Sequence, residues 1–164
     1  MTDVPDRIEK KVWLRASLER VWRAITDAKQ FGTWFGVEIG GDFAPGRTLT
    51  AKIVPTKMDA EVAKSQEAYA GIEFVIVVER IEPMRLFSFR WHPYEVEPGR
   101  DPLQQPMTLV TFELEEADGG VMLTITESGF DSVPLEKRAQ AFTSNAQGWE
   151  IQCRLIEKYV TGES

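Results

Sequence analysis

The chain has one cysteine, one histidine, no apolar run near the roughly 20 residues that a membrane span needs, and no excess of positive charge. Each shortage excludes something. Cys153 cannot form an internal disulfide, and the opening Met1-Thr2-Asp3-Val4-Pro5-Asp6 lacks the apolar stretch of a secretory signal. Both features suit a reducing cytoplasm. His92, without a second histidine or a cysteine cluster, leaves no metal site to propose. It is also the sole candidate base for a Ser-His-acid triad, and no G-x-S-x-G elbow accompanies it. A net charge of −7 without any basic stripe opposes nucleic-acid binding, which relies on clustered Lys and Arg against phosphates. The glycine-rich stretch GGDFAPG at residues 40–46 lacks the pattern of a phosphate cradle and reads as turns. No cofactor is expected.

What is present is an ordinary globular composition, 43% hydrophobic and 27% charged, in 164 residues. That length reads most simply as one domain over residues 1–164, able to bury roughly 70% of its unfolded surface without disulfide or metal. A first strand is predicted over residues 8–16, with Ile8, Val12 and Leu14 on one face. Ser17 then caps a short amphipathic helix carrying Leu18, Val21, Trp22 and Ile25. A second short helical turn follows with Phe31, Trp34 and Phe35. Strands are predicted within residues 37–54 and over 72–81, 86–92, 108–115 and 121–126, the last two joined through Asp118-Gly119-Gly120. Residues 56–70 read as a partly helical insertion. Residues 93–106 form a proline-rich loop longer than most hairpin connections.

The longest helix is predicted over about residues 133–160, capped by Ser132, with Pro134 in its first turn. Leu135, Ala139, Phe142, Ala146, Trp149, Cys153, Ile156 and Val160 recur at alternating steps of four and three, a stripe along one face. This order gives an α+β architecture: a curved antiparallel sheet of six to seven strands, two short helices after the first strand, and a long terminal helix covering the sheet's apolar face. Gly148 poses a question within it. Glycine in a helix interior costs about 1 kcal/mol relative to alanine, so Gly148 either permits close approach to the sheet or leaves room beside Trp149.

Three segments carry a resemblance: ASLERVWRAITD at residues 16–27, TESGFD at 126–131 and NAQGWEIQ at 145–152. Together, over roughly residues 8–160, they resemble the START-like (SRPBCC) superfamily, and within it the branch named after the activator of the heat-shock-protein-90 ATPase. The resemblance implies a helix-grip fold with a cavity between sheet and long helix. Superfamily members use such a cavity for lipids, sterols, polyketides and other flat apolar molecules, and some have become cyclases, aromatases or hydrolytic enzymes. The eukaryotic co-chaperone joins such a domain to a separate N-terminal domain that engages the chaperone. Only about seven residues precede the first strand here, so that domain is expected to be absent and chaperone interaction is disfavoured.

Glu127 is the acid of most interest. Alternation along residues 121–129 places it inward with Val121, Leu123 and Ile125. A carboxyl on that face is a candidate general acid or base, or a ligand anchor; the bland alternative is a strand-end acid bonded to nearby amides or an arginine. Asn145, at the edge of the helical stripe, is the second candidate polar group. Candidate apolar contacts are Phe31, Trp34, Phe74, Phe89, Trp91, Phe142 and Trp149, any of which can equally be plain core. His92, alternating with Trp91, is expected to face solvent, and Arg90 to be solvated or salt-bridged. The leading reading is binding of a small hydrophobic or aromatic ligand, lipid-, polyketide- or flavonoid-like. The alternatives are an enzyme of cyclase, dehydratase or hydrolase type using Glu127, and a protein-interaction module. Exposed strand edges leave room for a homodimer.

Overall fold

The computed structural model describes residues 6–162. Its elements are β1 (Arg7–Leu14), α1 (Leu18–Thr26), α2 (Ala28–Phe35), β2 (Val37–Ile39), β3 (Thr48–Ile53), α3 (Ala60–Gln66), β4 (Glu73–Glu82), β5 (Leu86–Trp91), β6 (Thr108–Ala117), β7 (Gly120–Ser128) and α4 (Leu135–Thr161). Short 3-10 turns at Glu67–Tyr69, Pro102–Gln104 and Phe130–Ser132 punctuate the connections. The seven strands form one antiparallel sheet in the order β1-β7-β6-β5-β4-β3-β2, curved around α4 in a helix-grip arrangement.

The local chemistry follows the sequence closely at the start. The Ser17 hydroxyl accepts the amide of Arg20 and caps α1, while the Asp27 carboxylate accepts the amides of Lys29 and Gln30 and caps α2. Val21, Trp22 and Ile25 of α1 are buried. The β6–β7 hairpin turns on Asp118 and Gly119, both at positive φ, and that turn pairs Ala117 with Gly120. The 56–70 insertion is helical over α3, which Asp59 caps through the amides of Glu61 and Val62. A salt bridge from Lys158 to the same Asp59, at 2.6 Å, ties the insertion to α4 and holds the Asp59 carboxyl below its ordinary range, chiefly through that hydrogen bond.

Three expectations change. Ser132 does not cap α4: its hydroxyl donates to the Gly129 carbonyl inside the preceding 3-10 turn, and Pro134 takes the cap position without a side-chain bond. Gly129, at φ +97°, adopts the left-handed conformation that lets the chain leave β7 and enter this turn. The buried face of α4 also differs from the predicted stripe. Leu135 is 75% exposed and Ala139 is exposed, whereas Ala141, Trp149, Cys153, Leu155, Ile156 and Val160 are buried. The inward face is rotated towards Asn145 and Gln152, two polar residues that a hydrophobic pattern passes over. Third, β5 ends at Trp91, so His92 has left the strand alternation; it is half-buried, with Nε2 3.3 Å from the Gln105 carbonyl. Arg90 is salt-bridged to Glu79 at 2.7 Å, as expected.

Candidate functional site

The register of the sheet assembles the site. β5 pairs with β6 so that Trp91 lies opposite Thr108, and β6 pairs with β7 so that Val110 lies opposite Glu127. Thr108 and Val110 are two residues apart and share the inner face, which puts Trp91, Thr108 and Glu127 on one patch of it. α4 crosses above this patch. Asn145 and Trp149, four residues apart, project from adjacent turns of the same helical face.

Glu127 is completely buried, and these four side chains converge on it. The indole Nε1 of Trp91 donates to Oε2 at 2.9 Å and that of Trp149 to Oε1 at 2.8 Å. The Thr108 hydroxyl donates to Oε2 at 2.5 Å, and the Asn145 amide nitrogen reaches Oε1 at 2.8 Å and Oε2 at 3.1 Å. An indole N–H can only donate, as can the amide nitrogen, so this set matches a carboxylate that only accepts. Among the described residues no arginine or lysine is a partner, and the compensation comes from dipolar donors. Glu127 therefore works as a clamp that fixes the planes of two tryptophans.

Those tryptophans face open space. A cleft of about 790 Å³ lies between α4, the ends of β3, β4 and β5, the α3 insertion and the 93–106 loop. Phe35, Phe74, Trp91, Tyr69 and Tyr94 provide its aromatic lining, and Asn145, Gln152, Gln66, His92, Thr50, Glu73 and Glu95 its polar groups. A narrower gap of about 110 Å³ adjoins it through shared walls at Phe35, Trp91, Asn145 and Gln152, and is completed by Gly148 and Trp149. A Cβ built at Gly148 would meet no atom within 4 Å. Gly148 is thus not a point of close approach; it leaves room beside Trp149.

Of the residues singled out from sequence, Phe74, Trp91 and Asn145 line the cleft and Trp149 lines the gap. Glu127 lies behind them. Phe31, Trp34 and Phe89 are fully buried and border neither space: Phe31 packs edge-on to Trp34, Phe89 and Phe112, and the Trp34 indole donates to the Ala24 carbonyl. Phe142 packs against Phe130 instead. Gln152, Tyr94, Tyr69, His92 and Phe35 are cleft residues that the sequence did not single out. Gln152 was findable from its seven-residue spacing to Asn145, which keeps both on one face. Cys153 is buried, and burial pushes its thiol up to about 11, so it is an inert packing residue. Among the described residues no group of three His, Cys, Asp or Glu side chains comes together to hold a metal ion, and no helix is long and apolar enough to cross a membrane.

A curved sheet gripping a long helix over a cleft is the architecture of a START-like helix-grip protein. Within that class the chain belongs to the family of Activator of Hsp90 ATPase homolog 1-like proteins, whose model matches residues 15–161. No curated protein matches the chain. Among solved structures it is similar to DynU16, a putative protein of the dynemicin biosynthetic locus, with a TM-score of 0.67 and 21% identity; the match covers 97% of this chain and 48% of that one, so the chain spans about half of DynU16. It is similar over 96% of its length and 98% of the other's to MLL2253 from Mesorhizobium loti, with a TM-score of 0.69 and 19% identity. The Aha1 dimer from Colwellia psychrerythraea matches with a TM-score of 0.62 and 18% identity, over 96% of this chain and 98% of that one. At these identities the likeness establishes the fold.

Proposed function

We propose that this chain is a single-domain binding protein of the cytoplasm that holds a small hydrophobic or aromatic ligand in the cleft between sheet and α4. The observation that carries this reading is the fixed aromatic wall: Trp91 forms a wall of a cleft of about 790 Å³ and is held in one orientation by the buried Glu127 carboxylate. A cleft of this size falls within the range that small-molecule sites occupy, and a mostly apolar lining with a few placed polar groups is their usual make-up. Locking the side-chain planes beforehand lowers the ordering cost of binding. The polyketide and flavonoid classes that the superfamily resemblance suggests offer the flat apolar body that such a wall accepts, and lipids offer an apolar chain. A role for Glu127 as acid or base is disfavoured by its complete burial among four donors, which leaves the enzyme reading without its proposed residue. The Colwellia protein is a dimer, and a homodimer is the assembly to look for here.

A thermal-shift panel of flavonoids, polyketides, sterols and fatty acids tests the reading. A ligand at a hundred times its dissociation constant stabilises by about 2.7 kcal/mol, which for a domain of this size raises the midpoint by roughly 5–10 °C. We expect a shift confined to one class and reduced in Trp91→Phe. No shift anywhere in the panel would reject the cleft as a binding site for these classes.

A further inference from the structure

The hydrogen-bonding groups around the cleft are unequal in kind. Several of its donors are already engaged with the protein. The Trp91 indole donates to Glu127, the Tyr94 hydroxyl to the Pro106 carbonyl at 2.7 Å, and the Gln66 amide nitrogen to the Phe35 carbonyl at 3.3 Å. The Asn145 amide nitrogen is held by Glu127, and that of Gln152 by the same Phe35 carbonyl at 3.2 Å. These last two bonds fix which end of each amide faces its protein partner, because a carboxylate and a carbonyl accept only from the nitrogen. The oxygens of Asn145 and Gln152 are left over: neither accepts a hydrogen bond among the described residues, and Gln152 Oε1 is buried without a partner. Both residues form the shared wall of the cleft and the gap. The His92 Nε2 points a proton at the Gln105 carbonyl, so Nδ1 is the ring nitrogen that accepts whenever the ring carries a single proton. The Tyr69 and Thr50 hydroxyls can act either way. Glu73 and Glu95 stand on the lining, which holds no Lys or Arg. Lys137, near this rim, donates to the Glu95 carbonyl and lies over the Tyr94 ring.

Building on the proposed binding role, we infer that the cleft selects ligands by a hydrogen-bond donor. The occupant is an aromatic or hydrophobic body bearing a hydroxyl or N–H group that reaches the Asn145 oxygen. Molecules whose polar end only accepts, carboxylates above all, are rejected. A site built from acceptors discriminates strongly against an analogue that cannot donate, because its buried acceptor then stays unpaired. An anionic end meets the same oxygen and two glutamates with no cation on the lining to offset them.

The test is isothermal titration calorimetry of the full chain with three probes on one ring system: 2-naphthol, its methyl ether and the corresponding naphthoate. We expect the naphthol to bind at least tenfold more tightly than either of the others, with the preference over the ether falling to less than threefold in Asn145→Leu. The wild-type ratios decide the matter even if that variant does not fold. Equal binding of naphthol and ether, or tighter binding of naphthoate, would overturn the donor rule while leaving the cleft a binding site. Failure of all three to bind would overturn the rule together with the binding role on which it rests.

Discussion

Within one aromatic cluster, a closed end and an open end joined through Phe35 use tryptophan in opposite ways. At the closed end Trp34 is fully buried, packs against Phe31 and Phe35, and gives its indole proton to the Ala24 carbonyl, a backbone acceptor ten residues away in the neighbouring helix. At the open end Trp91 and Trp149, on a strand and on α4, give theirs to one carboxylate. A backbone acceptor is available wherever a helix ends nearby. A buried carboxylate has to be brought to its place by the sequence, and an unpaired one is costly to desolvate. The closed end is held by packing, with polar atoms satisfied along the way. The open end needs a dedicated polar hub because one side of its wall has no protein to pack against.

The sharpest way to break this comparison is to remove the hub. Glu127→Ala leaves two indole protons that cannot turn elsewhere, and each buried donor without a partner costs about 1–3 kcal/mol, so a loss of about 3–6 kcal/mol is expected once the vacated volume is included. Thr108 and Asn145 can reorient and add less. Urea denaturation measures the loss. A value below about 1 kcal/mol would mean that water replaces the carboxylate and that the hub is dispensable. Glu127→Gln is no clean probe of catalysis here, since it sets an amide donor against the donors of its neighbours.

The second comparison exchanges one tryptophan at each end. Trp34→Phe should cost about 2–3 kcal/mol through the vacated volume and the stranded Ala24 carbonyl, with affinity for 2-naphthol changed less than twofold. Trp91→Phe loses less packing but also a donor to the buried Glu127 carboxylate, together about 2–4 kcal/mol, and should weaken naphthol about tenfold or more. Denaturation and calorimetry on the same two proteins separate the effects. Equal loss of binding in both would erase the distinction between core and wall.

Much of this was legible from sequence for a physical reason: strand alternation and capping are local. Ser17 and the burial of Glu127 follow from neighbours a few residues away. What holds Glu127 is not local. Its partners lie 18 to 36 residues distant, on β5, β6 and α4, and only the strand register and the setting of the helix bring them together. The same cause misplaced the helix face. Asn145 and Gln152 belong to the inward side, but a polar residue is inward only where a partner waits for it, and Glu127 and the Phe35 carbonyl are invisible to a hydrophobic pattern. His92 failed differently, since alternation was carried one residue past the end of β5.

Gly148 gives the smallest expected effect and the finest distinction between packing and space. Had it been chosen for close approach to the sheet, a methyl group there would collide with it. Instead the added Cβ meets nothing within 4 Å, so Gly148→Ala should remove the helix penalty and stabilise by about 0.5–1 kcal/mol, a rise of roughly 1–4 °C in Tm. The methyl enters the gap beside Trp149, so any ligand group that uses that gap should bind more weakly as the protein becomes more stable. A stability gain with unchanged naphthol affinity would confine binding to the larger cleft. A fall in Tm would show that the wall is tighter than its geometry indicates, and that the open end is packed much as the closed end is.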